Sequence, residues 1–130
     1  MEEYDPEWHF KYDNNTKLIN ISSVTVESTG NSVTAIAVGT ADLAQDADEV
    51  ESYEGCLVTV SGVTVSAVNA PYDWSIVDDS GIECLIDDDM ANMAADNYMS
   101  GLAEGTTLAS VTGIFNFSFG TYKIQIRDMA

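Results

Sequence analysis

Phe115, Phe117 and Phe119 alternate with Asn116 and Ser118; after a turn at Gly120 and Thr121, Tyr122, Ile124 and Ile126 alternate with Lys123 and Gln125. The start of the chain repeats this plan. Trp8, Phe10 and Tyr12 alternate with His9 and Lys11, Asn14 and Asn15 make the turn, and Ile19 and Ile21 follow. A period of two gathers the large apolar side chains on one face of an extended strand, which a helix of 3.6 residues per turn cannot do. Both segments therefore read as β-hairpins with one buried and one wet face. Asn-Asn suits a type I′ turn, and Gly at the first turn position suits type II′. Two-residue turns set Trp8 opposite Ile21 and Phe10 opposite Ile19. They likewise set Phe115 opposite Ile126, Phe117 opposite Ile124 and Phe119 opposite Tyr122. A chain that begins with a copy of its own last hairpin reads as one unit of an array, or as a donor of that hairpin to a neighbour.

Between the hairpins the same logic yields more strands. Val24, Thr25 and Val26 read as a short strand, residues 27–31 as a turn, and residues 33–38 as a second extended stretch. Thr40 suits the N-cap of a helical turn over residues 41–44. Residues 45–52 are rich in Asp and Glu and read as a surface loop, with a boundary near residue 50. This divides the chain into 1–50, an N-terminal hairpin with connecting strands, and 51–130, a barrel. From Tyr53, Cys56, Val58 and Val60 share one parity, and after Gly62 the parity switches to Val63, Val65 and Ala67. A glycine at a phase change marks a bend or bulge in a long strand. A loop over 68–73 leads to Trp74, Ile76 and Asp78, a turn at Asp79, Ser80 and Gly81, then Ile82, Cys84 and Ile86. Asp87, Asp88 and Asp89 suit a helix start. Met90, Met93, Ala94 and Tyr98 keep helical spacing up to a stop at Gly101. Residues 108–119 form a strand whose phase is expected to shift at Gly113, and 122–127 form the last. Long bent strand, two strands, helix, two strands is the order of an OB-type barrel. The expected fold is all-β with one short helix: an OB-type five-stranded barrel preceded by a β-hairpin and short strands.

The sequence also resembles a family. Tyr-Glu-Gly-Cys-Leu-Val at 53–58, Trp-Ser-Ile-Val-Asp-Asp-Ser-Gly at 74–81 and Thr-Gly-Ile-Phe-Asn-Phe-Ser-Phe-Gly-Thr-Tyr-Lys-Ile at 112–124 resemble OB-fold modules of large secreted bacterial surface proteins. Such modules accompany extracellular nuclease, lamin-tail or secretion-sorting domains. Residues 21–44 are similar to the segment that joins one such module to the next. The resemblance spans residues 8–130 and implies a non-catalytic module with an extracellular or cell-surface location. Cys56 stands where it would put a bulky apolar residue.

Charge narrows the partners. Twenty-two acids face four bases, a net charge of −18, and the bases are Lys11, Lys17, Lys123 and Arg127. Such a field repels polyanions and argues against nucleic acid. No apolar run approaches the roughly 18 residues of a membrane span, and the acidic start does not read as a signal peptide. The two cysteines, Cys56 and Cys84, match no zinc spacing, and whether they are bridged stays open. His9 has no Ser or Cys partner in a recognisable arrangement, so the chain reads as non-enzymatic with no cofactor. Calcium is the ion its acids suit, with Asp46, Asp48 and Glu49 as candidates. Two function classes remain. A protein-interaction module, pairing with itself or neighbouring modules, would use the apolar hairpin face of Trp8, Phe10, Tyr12, Ile19 and Ile21. Each large side chain there gains about 1.5–3 kcal/mol on leaving water. A ligand-binding OB module for oligosaccharide or single-stranded nucleic acid would use the outer face of its second and third strands: Tyr72, Ser75, Val77, Glu83 and Leu85. That face has no base, and single-strand binders need basic grooves.

Overall fold

The computed structural model describes residues 2–3, 16–17, 20–69, 73–87 and 102–129. In that span β1 (Glu2–Glu3) and β2 (Thr16–Lys17) make a small antiparallel ladder of their own. β3 (Ile36–Ala37) runs parallel to the start of β4 (Leu57–Asn69). β5 (Asp73–Val77) and β6 (Glu83–Asp87) follow β4 as an antiparallel meander. β8 (Thr121–Met129) lies between β6 and β7 (Thr107–Ser118), parallel to β6 and antiparallel to β7. β7 returns to β4, so the ring β4-β5-β6-β8-β7 closes. This is a five-stranded OB-type barrel with one extra strand, β3, on the edge of β4.

The barrel interior follows the alternation. Trp74 faces Ile86 and Ile76 faces Cys84 across β5 and β6. All four are buried, together with Val58, Val60, Val63, Val65, Val111, Phe115 and Ile124. Gly62 has φ +64°, a conformation that costs glycine little. The inward parity changes across it, from Val60 to Val63, as the sequence implied. A register shift between Val65 and Ala67 marks a bulge-type irregularity where β4 pairs with β5. Two 3-10 turns, Ala41–Leu43 and Val50–Tyr53, lay Leu43 and Val50 into the same hydrophobic cluster. Residue 50, where the sequence divides, is thus a buried valine against the barrel.

Several expectations need correction. The last hairpin turns at Phe119 and Gly120, both with positive φ (52° and 82°), which is type I′ geometry. Phe115 therefore faces Ile124, Phe117 faces Tyr122 and Ser118 faces Thr121, a register two residues from the expected one. A two-residue slip keeps every side chain on its face, so the core survives the change. Phe119 becomes a turn residue with 63% exposure instead of a core residue. Gly113 does not shift the parity of β7, since Val111 and Phe115 are both buried. The shift lies in the pairing: β8 holds an extra residue, Arg127, between the partners of Thr112 and Gly113. A side chain at Gly113 would collide with the Gln125 carbonyl and meet Ile124 Cγ2 at 2.6 Å. Val68, Asn69 and Asp73 are strand residues, and Asn69 pairs with Asp73. Asp87 ends β6 instead of opening a helix; the expected helix body, with Met90, Met93, Ala94 and Tyr98, lies outside the described residues. So do Trp8, Phe10, Tyr12 and Ile19 of the first hairpin. The described ladder there pairs Thr16 and Lys17 with Glu3 and Glu2, residues that the expected hairpin did not include.

Candidate interaction surface

Residues 20–35 form an arm that reaches the barrel without pairing with any strand among the described residues. Its sequence is that of a strand, rich in Val and Thr, yet its apolar side chains stand in solvent. Val24 is 80% exposed, Val26 73%, Val33 72%, Ile21 59% and, in β3, Ile36 45%. The arm bends at Thr29 and Gly30, where Gly30 has φ +72° and Asn31 Nδ2 donates to Ser28 Oγ at 2.7 Å. The expected strand over 24–26 is not formed, and these residues pair with no strand among the described residues. Ile21, expected to face Trp8 as part of an apolar hairpin face, is exposed.

The root of the arm is held firmly. The Val38 N–H donates to Thr59 O at 3.1 Å, continuing the β3–β4 ladder. The Thr40 N–H then donates to Asp78 Oδ2 at 2.9 Å, and Asp78 Oδ1 accepts the Ser80 N–H at 2.8 Å. Thr40 Oγ1 lies 3.3 Å from Ser80 Oγ and accepts the Asp78 N–H at 3.3 Å. Thr40 is therefore no side-chain cap, because its hydroxyl is turned to the β5–β6 turn instead. Asp42 closes the other side, its Oδ2 accepting the Gly39 N–H at 2.8 Å. The Ser80 side chain, with the backbone N–H groups of Thr40 and Ser80, holds the Asp78 carboxyl well below the usual carboxylate range, against a smaller opposing effect of burial.

A second fastening joins residues 45–51 to β8. Gln45 uses its side-chain amide as a strand would use its backbone: Nε2 donates to Tyr122 O, and Oε1 accepts the Tyr122 N–H, both at 2.7 Å. The Tyr122 hydroxyl donates to Glu51 Oε2. Burial first, then Glu51, push the Tyr122 phenol up to about 12. Its ring stacks on Phe115 at 5.5 Å and tilts against Phe117 at 4.8 Å. Sequence reasoning assigned Gln45 and Thr40 no such roles, because their partners lie far along the chain and leave no local signal.

Four of the five residues of the candidate ligand face lie on β5 and β6. Ser75 faces Leu85 and Val77 faces Glu83, so these four share one patch. Ser75 is buried, Val77 and Leu85 half-buried and Glu83 exposed, so the patch is less open than a wet sheet face. Tyr72 lies outside the described residues. Beside this patch, Lys123 Nζ meets Asp87 Oδ2 at 2.7 Å with both side chains nearly buried. Such a pair is costly to break by removing one partner, since the other is left as a buried charge. Among the described residues, no three His, Cys, Asp or Glu side chains gather as a metal site. Asp48 and Glu49 line an open cleft of about 270 Å³ with Ala41, Asp42, Ala47 and Tyr53. Cys56 and Cys84 are both free; burial pushes the Cys84 thiol up to about 12.

No family model and no curated protein matches this chain. Among solved structures, it is similar to the OBody AM1L10 bound to hen egg-white lysozyme, with a TM-score of 0.54 at 13% identity. The likeness covers 78% of this chain and 95% of the OBody chain. At that identity it speaks for the fold, and it agrees with the OB-type barrel that the strand order defines.

Proposed function

We propose that this chain is a non-catalytic structural and interaction module of a secreted or cell-surface protein, and that its N-terminal arm makes the protein–protein contact. The observation that carries this reading is the arm itself. It holds Val24, Val26 and Val33 in water at a cost that contact with another protein would remove. The barrel core closes without these side chains, so they contribute little to the fold of their own chain. Thr40 and Asp78 fasten the chain just past the arm to the β5–β6 turn, so the root of the arm is fixed on the barrel. The OBody supports the reading to one extent: a barrel of the same type is seen there bound to a protein.

The test is molar mass by light scattering across a concentration series, for the full chain and for Val24→Asp/Val26→Asp. The expected result is an oligomer in the full chain that the variant does not form. The reading fails if both chains show the same mass at every concentration.

A second reading is a ligand-binding OB module for oligosaccharide or single-stranded nucleic acid. It is favoured by one observation, the meeting of Ser75, Val77, Glu83 and Leu85 on one outer face. Titration calorimetry with neutral oligosaccharides and with single-stranded oligonucleotides, on the parent and on Glu83→Lys, separates the two readings.

A further inference from the structure

β3 is the outermost strand of the main sheet, with β4 as its neighbour among the described residues. The Val38 N–H faces β4, where it meets Thr59 O. Backbone groups of successive residues in an extended chain point to opposite sides. The N–H and C=O groups of Ala35 and Ala37 therefore face away from β4, along an edge flanked by exposed Val33 and Ile36. Native sheets blunt such an edge with Lys, Pro, a bulge or a covering segment. Residues 28–41 contain no Pro and no charged residue.

Neutrality matters on a chain of net charge −18. Two copies repel one another through a surface dominated by Asp and Glu, and this segment is where they approach without opposing acids. An antiparallel contact about a two-fold axis also sets a strand against itself, so any charge it carried would face its like nearby. A neutral strand of small and β-branched residues is free of that penalty.

We infer that residues 31–37 pair with the same residues of a second copy about a two-fold axis, joining two barrels through one antiparallel ladder. This rests on the reading of the arm as the assembly element, and it specifies the partner and the seam. Association then strengthens as salt screens the acidic surfaces, the reverse of an interface built on opposite charges.

The experiment is sedimentation velocity on the full chain at low and high salt, with Ala35→Pro, Ala35→Ser and Val24→Asp/Val26→Asp. Proline at 35 removes an outward N–H and leaves the β4 side alone, while serine keeps the N–H. A monomer–dimer equilibrium is expected, tighter at high salt, weakened about tenfold or more by Ala35→Pro and unchanged by Ala35→Ser. Should Ala35→Pro disturb folding, spin labels decide. In a Cys56→Ser background, single cysteines at Ser32, Thr34 and Ala37 give an inter-copy distance that passes through a minimum within 31–37. It lengthens on either side by roughly 7 Å per residue. An oligomer that Val24→Asp/Val26→Asp dissolves, but that Ala35→Pro leaves intact and that shows no such minimum, overturns this seam and leaves the proposed function standing. A chain that stays monomeric at both salt levels overturns both.

Discussion

The arm and the barrel use the same residue vocabulary and end in opposite states. β4 and residues 20–35 are both rich in Val, Thr and Ser. In β4 those residues pair with β3, β5 and β7 and bury Val58, Val60, Val63 and Val65. In the arm they pair with nothing described, and Val24 and Val26 are among the most exposed large apolar side chains. Strand preference is therefore a fit to a surface offered by neighbours more than a property of the segment. The two regions also differ in charge. Residues 18–41 carry a single charged residue, Glu27, while the barrel and its approach hold most of the acids. The region that pairs with no described strand is thus also the region with the fewest charges.

The largest test of this contrast is a pair of truncations. Trp74→Ala removes a fully buried ring and should cost about 3–5 kcal/mol. Val24→Ala should stay within about 0.5 kcal/mol. Urea unfolding of both variants at a concentration where the chain is monomeric checks this, and a comparable loss at Val24 would show the arm to be part of the folded core. A second pair uses glycine. Gly113→Ala forces a methyl into the Gln125 carbonyl and Ile124, which should cost about 1–3 kcal/mol. Gly30→Ala meets no neighbouring atom, and its strain at φ +72° falls on the arm alone. Its melting temperature should therefore match the parent.

The junction between the regions gives the third test. Asp78→Asn weakens the carboxylate's bonds to Thr40 and Ser80 and should cost about 1 kcal/mol at neutral pH. The folded Asp78 titrates below its unfolded value of about 3.9. Its contribution is thus complete above that pH and is lost as the pH falls through the folded value. The parent should lose stability on acidification more steeply than Asp78→Asn, as read from urea midpoints between neutral pH and about pH 3. Equal slopes would mean that the arm's root does not depend on this carboxylate. The smallest effect needs no mutation. With a thiol reagent, half-exposed Cys56 should react in the native state, and buried Cys84, its thiol held near 12, only on unfolding. Two fast native thiols would show the barrel wall at β6 to be open.

How much could be read beforehand is clearest at particular residues. Trp74, Ile76, Cys84 and Ile86 announce their shared face by parity alone, and Gly62 announces the bend of β4. The patch of Ser75, Val77, Glu83 and Leu85 follows from the same parity once Asp79, Ser80 and Gly81 set the turn. The last hairpin was legible in its faces but not in its register. Phe119-Gly120 and Gly120-Thr121 are both two-residue turns, and a slip of two preserves the alternation that the sequence displays. Stacking of Tyr122 on Phe115, and the room that Gly113 leaves for Ile124, distinguish the two registers, and both are contacts across the sheet.

By itself, the sequence determined what is encoded within a few neighbours: extended strands, inward parity, glycine bends and a field of net charge −18. Only the tertiary structure decided which strands found partners. Gln45 bonds Tyr122 across 77 positions and Thr40 bonds Asp78 across 38, and no periodicity joins such pairs. The exposure of Val24, Val26 and Val33 is of the same kind. A strand-like segment becomes core or arm according to whether the closed ring of β4, β5, β6, β8 and β7 leaves it an edge to join, and among the described residues the arm meets this ring through the short contact at β3.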